Sequence, residues 1–178
     1  MVARFARQKD QPTLIRATKR LVDEGWTGRL LLGGGGKASH RAAAEKIVRQ
    51  LNLTDRVEFL GHVSDAAPLY HRCRAGVLST HYEGIPLVLI DYMAAGCAAI
   101  ASIAPGTDDV IENGINGWLF PQGDDAALAQ LLTRVLAGGP EIESVVSRAR
   151  ADAPAKFSLD KMVNRYEALF AELLAQQS

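Results

Sequence analysis

The stretch Ser79-Thr80-His81-Tyr82-Glu83-Gly84-Ile85-Pro86-Leu87-Val88-Leu89-Ile90-Asp91 decides how this chain is read. The apolar run before it, Ala75 to Leu78, has the character of a parallel strand buried on both faces. The chain then turns through Glu83-Gly84 and opens a helix at Pro86, whose fixed φ and missing N–H suit a first helical turn. That order sets backbone N–H groups and the positive end of a helix beside a crevice, where phosphate is favoured. Glu83 lies in the loop, and Asp91 lies on the same helix face as Leu87. Asp91 interrupts a nearly all-apolar helix, so its carboxylate is expected to be paired, hydrogen-bonded or functional. Ribose hydroxyls would satisfy it, because a carboxylate accepts two hydrogen bonds at once.

Working outward, short apolar runs alternate with amphipathic ones. Met1-Val2-Ala3-Arg4 reads as the last part of a strand whose beginning lies outside the chain, and Arg4 to Lys9 as a basic loop. Asp10 is placed as an N-cap with Pro12 in the first turn, and Gly25 ends that helix. A strand at Arg29 to Leu32 runs into Gly33-Gly34-Gly35-Gly36, and a helix follows over Arg41 to Leu51. Next come a strand at Val57 to Leu60, the Gly61-His62-Val63 turn, and a short helix that Ser64 or Asp65 caps and that ends near Tyr70. After the Pro86 helix, which Gly96 closes, strands are expected at Ala98 to Ser102 and Trp118 to Phe120. Between those two, a short helical turn is expected at Asp109 to Glu112. Helices at Asp124 to Ala137, Pro140 to Ala151 and Ser158 to Leu174 complete the chain. The last carries Met162, Tyr166, Leu169, Phe170 and Leu173 on one face.

This pattern predicts an α/β fold: a Rossmann-like, doubly wound parallel sheet with helices on both faces and at the C-terminus, residues 1–178 forming one domain. Such sheets bind ligands at the carboxyl ends of their strands. The Arg4 loop, the glycine run, the Gly61 turn, the Glu83 loop and the Pro105 loop all follow strands, and are expected to crowd that edge.

Composition excludes several classes. Twenty basic and twenty acidic residues leave a formal net charge of zero, so no global field draws nucleic acid or an anionic membrane surface. Cys73 and Cys97 lack metal-ligand spacing and read as buried free thiols in a reducing compartment. No apolar run approaches the roughly 20 residues of a membrane span, and no signal peptide opens the chain. A cytoplasmic location is expected.

The glycine run suggests two other readings. Gly33-x-Gly35-x-x-Ala38 matches a dinucleotide fingerprint, but the acidic residue that should end the next strand is absent: Asp55 precedes Val57, and the strand ends in Leu60-Gly61. Gly36-Lys37 is not a P-loop, since Ala38 stands at the required Ser/Thr. The run is better read as a tight turn that a ligand or another segment approaches closely. In the basic loop, Arg4 and Lys9 are spaced to converge on a diphosphate, Arg as a planar fork and Lys as a mobile point charge. A solvated basic loop is the alternative.

Glu83-Gly84-Ile85-Pro86 followed by Asp91-Tyr92-Met93-Ala94-Ala95-Gly96 resembles the donor-site signature of retaining GT-B glycosyltransferases, in which seven residues separate two acidic positions. Other pieces fall in that family's order. Arg4 and Lys9 resemble its diphosphate clamp, Leu31 to Gly35 its strand-glycine turn, and Val57 to Val63 its base-side loop. Gly114 to Phe120, Asp124 and the closing Phe157-Ser158 with Tyr166 also match. The resemblance spans essentially the whole chain and corresponds to the C-terminal, nucleotide-sugar-binding half.

The resemblance implies roles. Asp91 would hold ribose hydroxyls, and Glu83 would face the sugar hydroxyls and the phosphate end. Gly84, Ile85 and the helix start at Pro86 and Leu87 would bind diphosphate through backbone N–H groups. Gly35 would border the site, and Gly61, His62 and Val63 would meet the base through their main chain. Arg4 and Lys9 would neutralise the departing diphosphate, so no metal or other cofactor is expected. The partners implied are a UDP- or GDP-hexose and a separate N-terminal domain that supplies the acceptor site and a catalytic His. Peripheral membrane association of the intact enzyme and a lipid-linked or polysaccharide acceptor are also implied. None of His40, His62, His71 or His81 takes the catalytic role, and His81 reads as a loop-shaping residue. The second acidic position is usually Glu; Asp91 is shorter by one methylene. The alternatives are a non-catalytic nucleotide-sugar-binding module and a GT-B sugar-nucleotide epimerase fragment.

Overall fold

Successive side chains of the central strands point to opposite faces of a parallel sheet, and both faces are covered, so burial runs along these strands almost without a break. The computed structural model describes residues 1–176. In chain order the elements are α1 Gln11–Asp23, β1 Leu30–Gly33, α2 Ala38–Gln50, β2 Val57–Gly61, α3 Ala67–Tyr70 and β3 Ala75–Leu78. They continue with α4 Leu87–Ala95, β4 Ala98–Ser102, β5 Trp118–Phe120, α5 Asp125–Ala137, α6 Pro140–Phe157 and α7 Leu159–Ala175. Val77, Ala98, Ile100, Trp118 and Phe120 point to one core, with α1, α2 and α5. Leu78, Ala99 and Ala101 point to the other, with α3, α4 and α6. β4 is buried at all five positions.

Every strand pair is parallel, but the ladder is divided. β1 pairs with β2, and β3-β4-β5 form a separate group. Residues 1–9 lie between them and touch both through isolated bridges: Val2 to Gly33, Phe5 to Gly36, and Lys9 to Thr80. No continuous strand forms there. The backbone N–H of Val2 is instead satisfied by the Tyr92 hydroxyl at 2.9 Å.

Local chemistry sets most boundaries. Asp10 caps α1 by accepting from the Thr13 N–H at 3.2 Å, and Asp124 caps α5 through Ala127 at 2.8 Å. Ser158 caps α7 through Lys161. Gly96 closes α4 at φ +77, a left-handed conformation that glycine adopts without a Cβ penalty. Pro86 precedes the first helical residue rather than occupying it. Two further expectations, both for helices, fail. Asp109 to Glu112 forms no helix; the Thr107 hydroxyl, bonded to Ser102 and Ala104 carbonyls, closes this segment as turns.

The second failure concerns α6, which does not stop at Ala151 but runs through Pro154 to Phe157. A proline inside a helix removes one backbone hydrogen bond. Here Asp152 bridges the weak point. Its carboxylate accepts from Arg148 at 2.8 Å, one turn before, and from Lys156 at 2.7 Å, one turn after. Asn116 adds a contact at 3.4 Å from the turn before β5. Burial of Ala149 and Ala153 at 1% and 3% exposure holds the same stretch against α4. Tertiary packing overrides the local signal.

Lys156, and then Arg148 and Asn116, hold the Asp152 carboxyl below the usual carboxylate range. The folded value lies below the unfolded one, so this stabilisation is fully present above the ordinary carboxylate pKa and is lost as pH falls from there through the lower folded value. Asp152→Ala is expected to cost about 2 kcal/mol at pH 7, as for hydrogen bonds to charged groups. Thermal melting of both chains from pH 7 to pH 3 should show the difference shrinking with acid.

Ser79 and Trp118 each bury a polar atom, Oγ and Nε1 respectively, that has no hydrogen-bond partner among the described residues. Ser79→Ala should therefore leave stability unchanged or raise it by up to about 1 kcal/mol, measured by denaturant unfolding.

Candidate functional site

The carboxyl ends of the strands do converge. The Arg4 loop meets the β3 end through the Asp10 N–H to Ser79 carbonyl bond at 3.0 Å and the His81 N–H to Gln8 carbonyl bond at 2.9 Å. The β3–α4 loop meets the β4 end through the Glu83 N–H and the Pro105 carbonyl, also at 2.9 Å. On the other flank the Gly34 N–H donates to the Gly61 carbonyl at 2.6 Å. The glycine run is the close approach that its composition suggests. A Cβ at Gly34 would collide with the Ala3 carbonyl, and one at Gly36 with the Phe5 backbone. Gly35 faces open space.

At the centre, Lys9 and Glu83 form a direct ion pair, their side chains only 12% and 10% exposed. The Glu83 carboxylate has further donors. The Thr80 hydroxyl, on a fully buried residue, gives to Oε1 at 2.7 Å, and the Gln8 amide reaches Oε2 at 3.3 Å. Gln8 also donates to the Tyr82 carbonyl at 2.7 Å, and Gln122 to the His81 carbonyl at 3.0 Å, so the loop is held from two sides. His81 takes part through its backbone. Arg4 and Arg7 are exposed, and among the described residues neither guanidinium has an ion pair. Arg4 is thus a cation free to meet a ligand.

Helix α4 presents its N-terminus to this loop without a side-chain cap and without an acidic residue in its first turn. Gly84, Ile85 and Leu87 are exposed, while Pro86 is buried. Orphan N–H groups at an uncapped, solvent-facing helix start form an anion site. Further along, Leu87, Asp91 and Ala94 form the exposed stripe of an otherwise buried helix. This answers the question that Asp91 poses. It sits on the open edge rather than in the core, and among the described residues its carboxylate has no hydrogen bond or ion pair. Burial pushes its carboxyl above the usual range.

Asp91 lines a cavity of about 390 Å³ between α4 and α3, with Asp65, His71 and Tyr70 on the facing side. Burial, then the Asp91 charge, push the Tyr70 phenol up to about 12, so it stays neutral at physiological pH. Gly61, His62 and Val63 are not part of this lining, which begins at Ser64. Gly61 and Val63 meet the glycine run instead, Gly61 through the Gly34 N–H and Val63 against the position of a Cβ on Gly33, while His62 is exposed. A second cavity of about 350 Å³ lies beyond Ile85, Leu87 and Ile90, walled by Phe157 and by Met162 and Tyr166 of α7.

Sequence reasoning gave Gln8, Thr80 and Gly106 no role in the site, placed Asp65 only as a helix cap, and considered His71 only to set it aside as the catalytic histidine. Polar residues next to a motif carry no signal of their own, but Gly106 carried one in the Pro-Gly pair. It adopts φ +85, and a Cβ there would strike the Gly84 and Glu83 carbonyls. Gly106→Ala should displace the Glu83 loop and cost more than about 1 kcal/mol, whereas Gly84→Ala, with open space around it, should be nearly neutral. Paired denaturation curves test the contrast.

The family described as Glycosyl transferases group 1 matches residues 1–138. The N-acetyl-alpha-D-glucosaminyl L-malate synthase of Bacillus anthracis is 27% identical over 173 residues, covering 97% of this chain and 45% of that protein. The structure of Anabaena Alr3699/HepE in complex with UDP aligns with a TM-score of 0.89 at 22% identity, over 96% of this chain and 47% of the other. The C-terminal domain of a group 1 glycosyl transferase, LpcC of Francisella tularensis, aligns with a TM-score of 0.77 at 20% identity, over 88% and 83% respectively. The chain spans about half the length of the curated relatives it matches. Among the described residues, no helix is long and apolar enough to cross a membrane. The architecture is that of the Rossmann-like C-terminal half of the GT-B fold, and the chain belongs to the group 1 glycosyl transferases.

Proposed function

We propose that this chain is the donor-binding half of a retaining glycosyltransferase that moves a hexose from a UDP- or GDP-sugar to a glycan or lipid-linked acceptor. The observation that carries the reading is the juxtaposition at one sheet edge of three features: an uncapped helix start, a clamp cation beside Glu83, and an unpaired carboxylate on the same helix. Each suits one part of a sugar nucleotide. The α4 start, through Gly84, Ile85 and Leu87, takes the diphosphate, and Asp91 takes the ribose hydroxyls beside the 390 Å³ cavity. Glu83 faces the sugar. Arg4 and Lys9 stabilise the charge that develops on the departing diphosphate, an electrostatic contribution made at the point where charge appears. With those cations and the helix end in place, donor binding needs no metal. The UDP bound to the Anabaena neighbour agrees with a nucleoside diphosphate as ligand of this architecture.

The acceptor site belongs to an N-terminal domain in this proposal. The exposed face of α7, including Tyr166, Leu169 and Phe170, is where that domain would rest. The chain alone is therefore expected to bind donor weakly and to transfer nothing.

Calorimetric titration of UDP, GDP, UDP-glucose and GDP-mannose into the purified chain tests the reading. Saturable binding of one nucleotide, unchanged in EDTA, is the expected result. Asp91→Asn should weaken it by the roughly 1.5–3 kcal/mol of a charge-assisted hydrogen bond. The same change should not lower the melting temperature at pH 7: a carboxyl whose folded pKa is raised destabilises the ionised native state, so its neutral isostere loses nothing. A variant that melts early, or that binds as tightly as the wild type, sinks the assignment of Asp91.

A further inference from the structure

The Lys9–Glu83 pair is asymmetric. Glu83 is anchored independently of Lys9 by the Thr80 hydroxyl at 2.7 Å and the Gln8 amide at 3.3 Å. Lys9, in contrast, has Glu83 as the one side-chain partner recorded among the described residues. The acid is the fixed member and the long, flexible ammonium the movable one. Both side chains are largely withdrawn from solvent, so their attraction is less screened than that of a surface pair. Any phosphate that takes the Lys9 charge must take it from Glu83, and must then sit beside the carboxylate left behind.

We infer that Glu83 is a built-in competitor for the clamp cation, and that it makes the site favour a sugar nucleotide over the bare nucleoside diphosphate. The inference rests on the donor-binding reading and deepens it. A bare diphosphate ends in a phosphate with a second ionisable oxygen, whose proton is lost near neutral pH. Placed next to Glu83, that extra charge is repelled. In a sugar nucleotide the same position is esterified, carries one negative charge fewer, and is followed by hydroxyls that donate to a carboxylate held as an acceptor. Thr80 and Gln8 are then positioning residues: they keep the carboxylate in place once Lys9 has left. The consequence for turnover is directional, since the anchored acid helps expel the diphosphate after the sugar has gone.

The test compares wild type with Glu83→Gln, which keeps shape and hydrogen bonding and removes the charge. Dissociation constants are measured for UDP, GDP, UDP-glucose and GDP-mannose. The variant is expected to bind the preferred nucleoside diphosphate about tenfold more tightly and its sugar ester no more than about twofold more tightly. Equal or weaker diphosphate binding by the variant, with binding by the wild type intact, overturns the competition and leaves the donor site standing. Equal tightening of both ligands overturns the selectivity. No binding of any of the four by either chain, at millimolar concentration, overturns the donor reading itself.

A measurement on the unaltered chain guards against a variant that misfolds. The carboxyl ¹³C resonance of Glu83 is followed during titration with the same diphosphate. It should shift as Lys9 is withdrawn; an unmoved resonance at saturation overturns the inference.

Discussion

The whole arrangement depends on nine residues that belong to no helix and to no extended strand. At the level of the strands, residues 1–9 hydrogen-bond to both the β1–β2 pair and the β3–β4–β5 group. They attach at three points: Val2 to Gly33, Phe5 to Gly36, and Lys9 to Thr80. The first two attachments require backbone to approach backbone, which is why Gly34 and Gly36 have no room for a Cβ. The third delivers Lys9 to Glu83. A packing constraint and a chemical one are therefore the same constraint, because moving this segment would open the core around Phe5 and break the ion pair together.

The two faces of the sheet share the work unevenly. The α1, α2 and α5 face holds the larger aromatic and branched side chains, Phe5, Trp118, Phe120 and Leu128 among them, and acts as the anchor. The α3, α4 and α6 face is built more from alanines, with Tyr70 and Tyr92 meeting edge to face at 5.0 Å. Small residues let α4 lie close to β3 and β4: Gly76 leaves no room for a Cβ against the Tyr92 ring. Close packing of α4 aims its N-terminus at the loop edge and turns Leu87, Asp91 and Ala94 outward. Rigid support behind the helix is what makes an exposed carboxylate on its outer stripe useful as a recognition group.

Much of this was legible in the residues. β3, β4 and β5 fall where the apolar runs lie, Asp10 caps α1 as its residue type suggests, and α5 and α7 begin beside Asp124 and Ser158 as expected. These signals are local: a cap or an alternating run states its conformation within four or five residues. The paired acidic positions and the basic loop were legible too, as were the loops that crowd one edge. What was not legible was which groups satisfy each other. The continuation of α6 through Pro154 rests on packing against α4 and on an Asp152 carboxylate that Asn116, thirty-six residues away, also contacts. The anchoring of Glu83 depends on Gln8, seventy-five residues away.

By itself, then, the amino-acid sequence determined the alternation of elements, the parallel sheet and the identity of the charged residues at its carboxyl edge. Period, caps and turn residues act over one or two turns of chain, and their meaning needs no partner. Only the tertiary structure decided that Asp91 faces outward with no partner among the described residues, that the sheet divides at residues 1–9, and that Lys9 rests on Glu83 rather than in solvent. Those outcomes turn on distances between segments far apart in sequence, and a hydrogen bond or ion pair exists only where folding has brought both of its ends within about 3 Å.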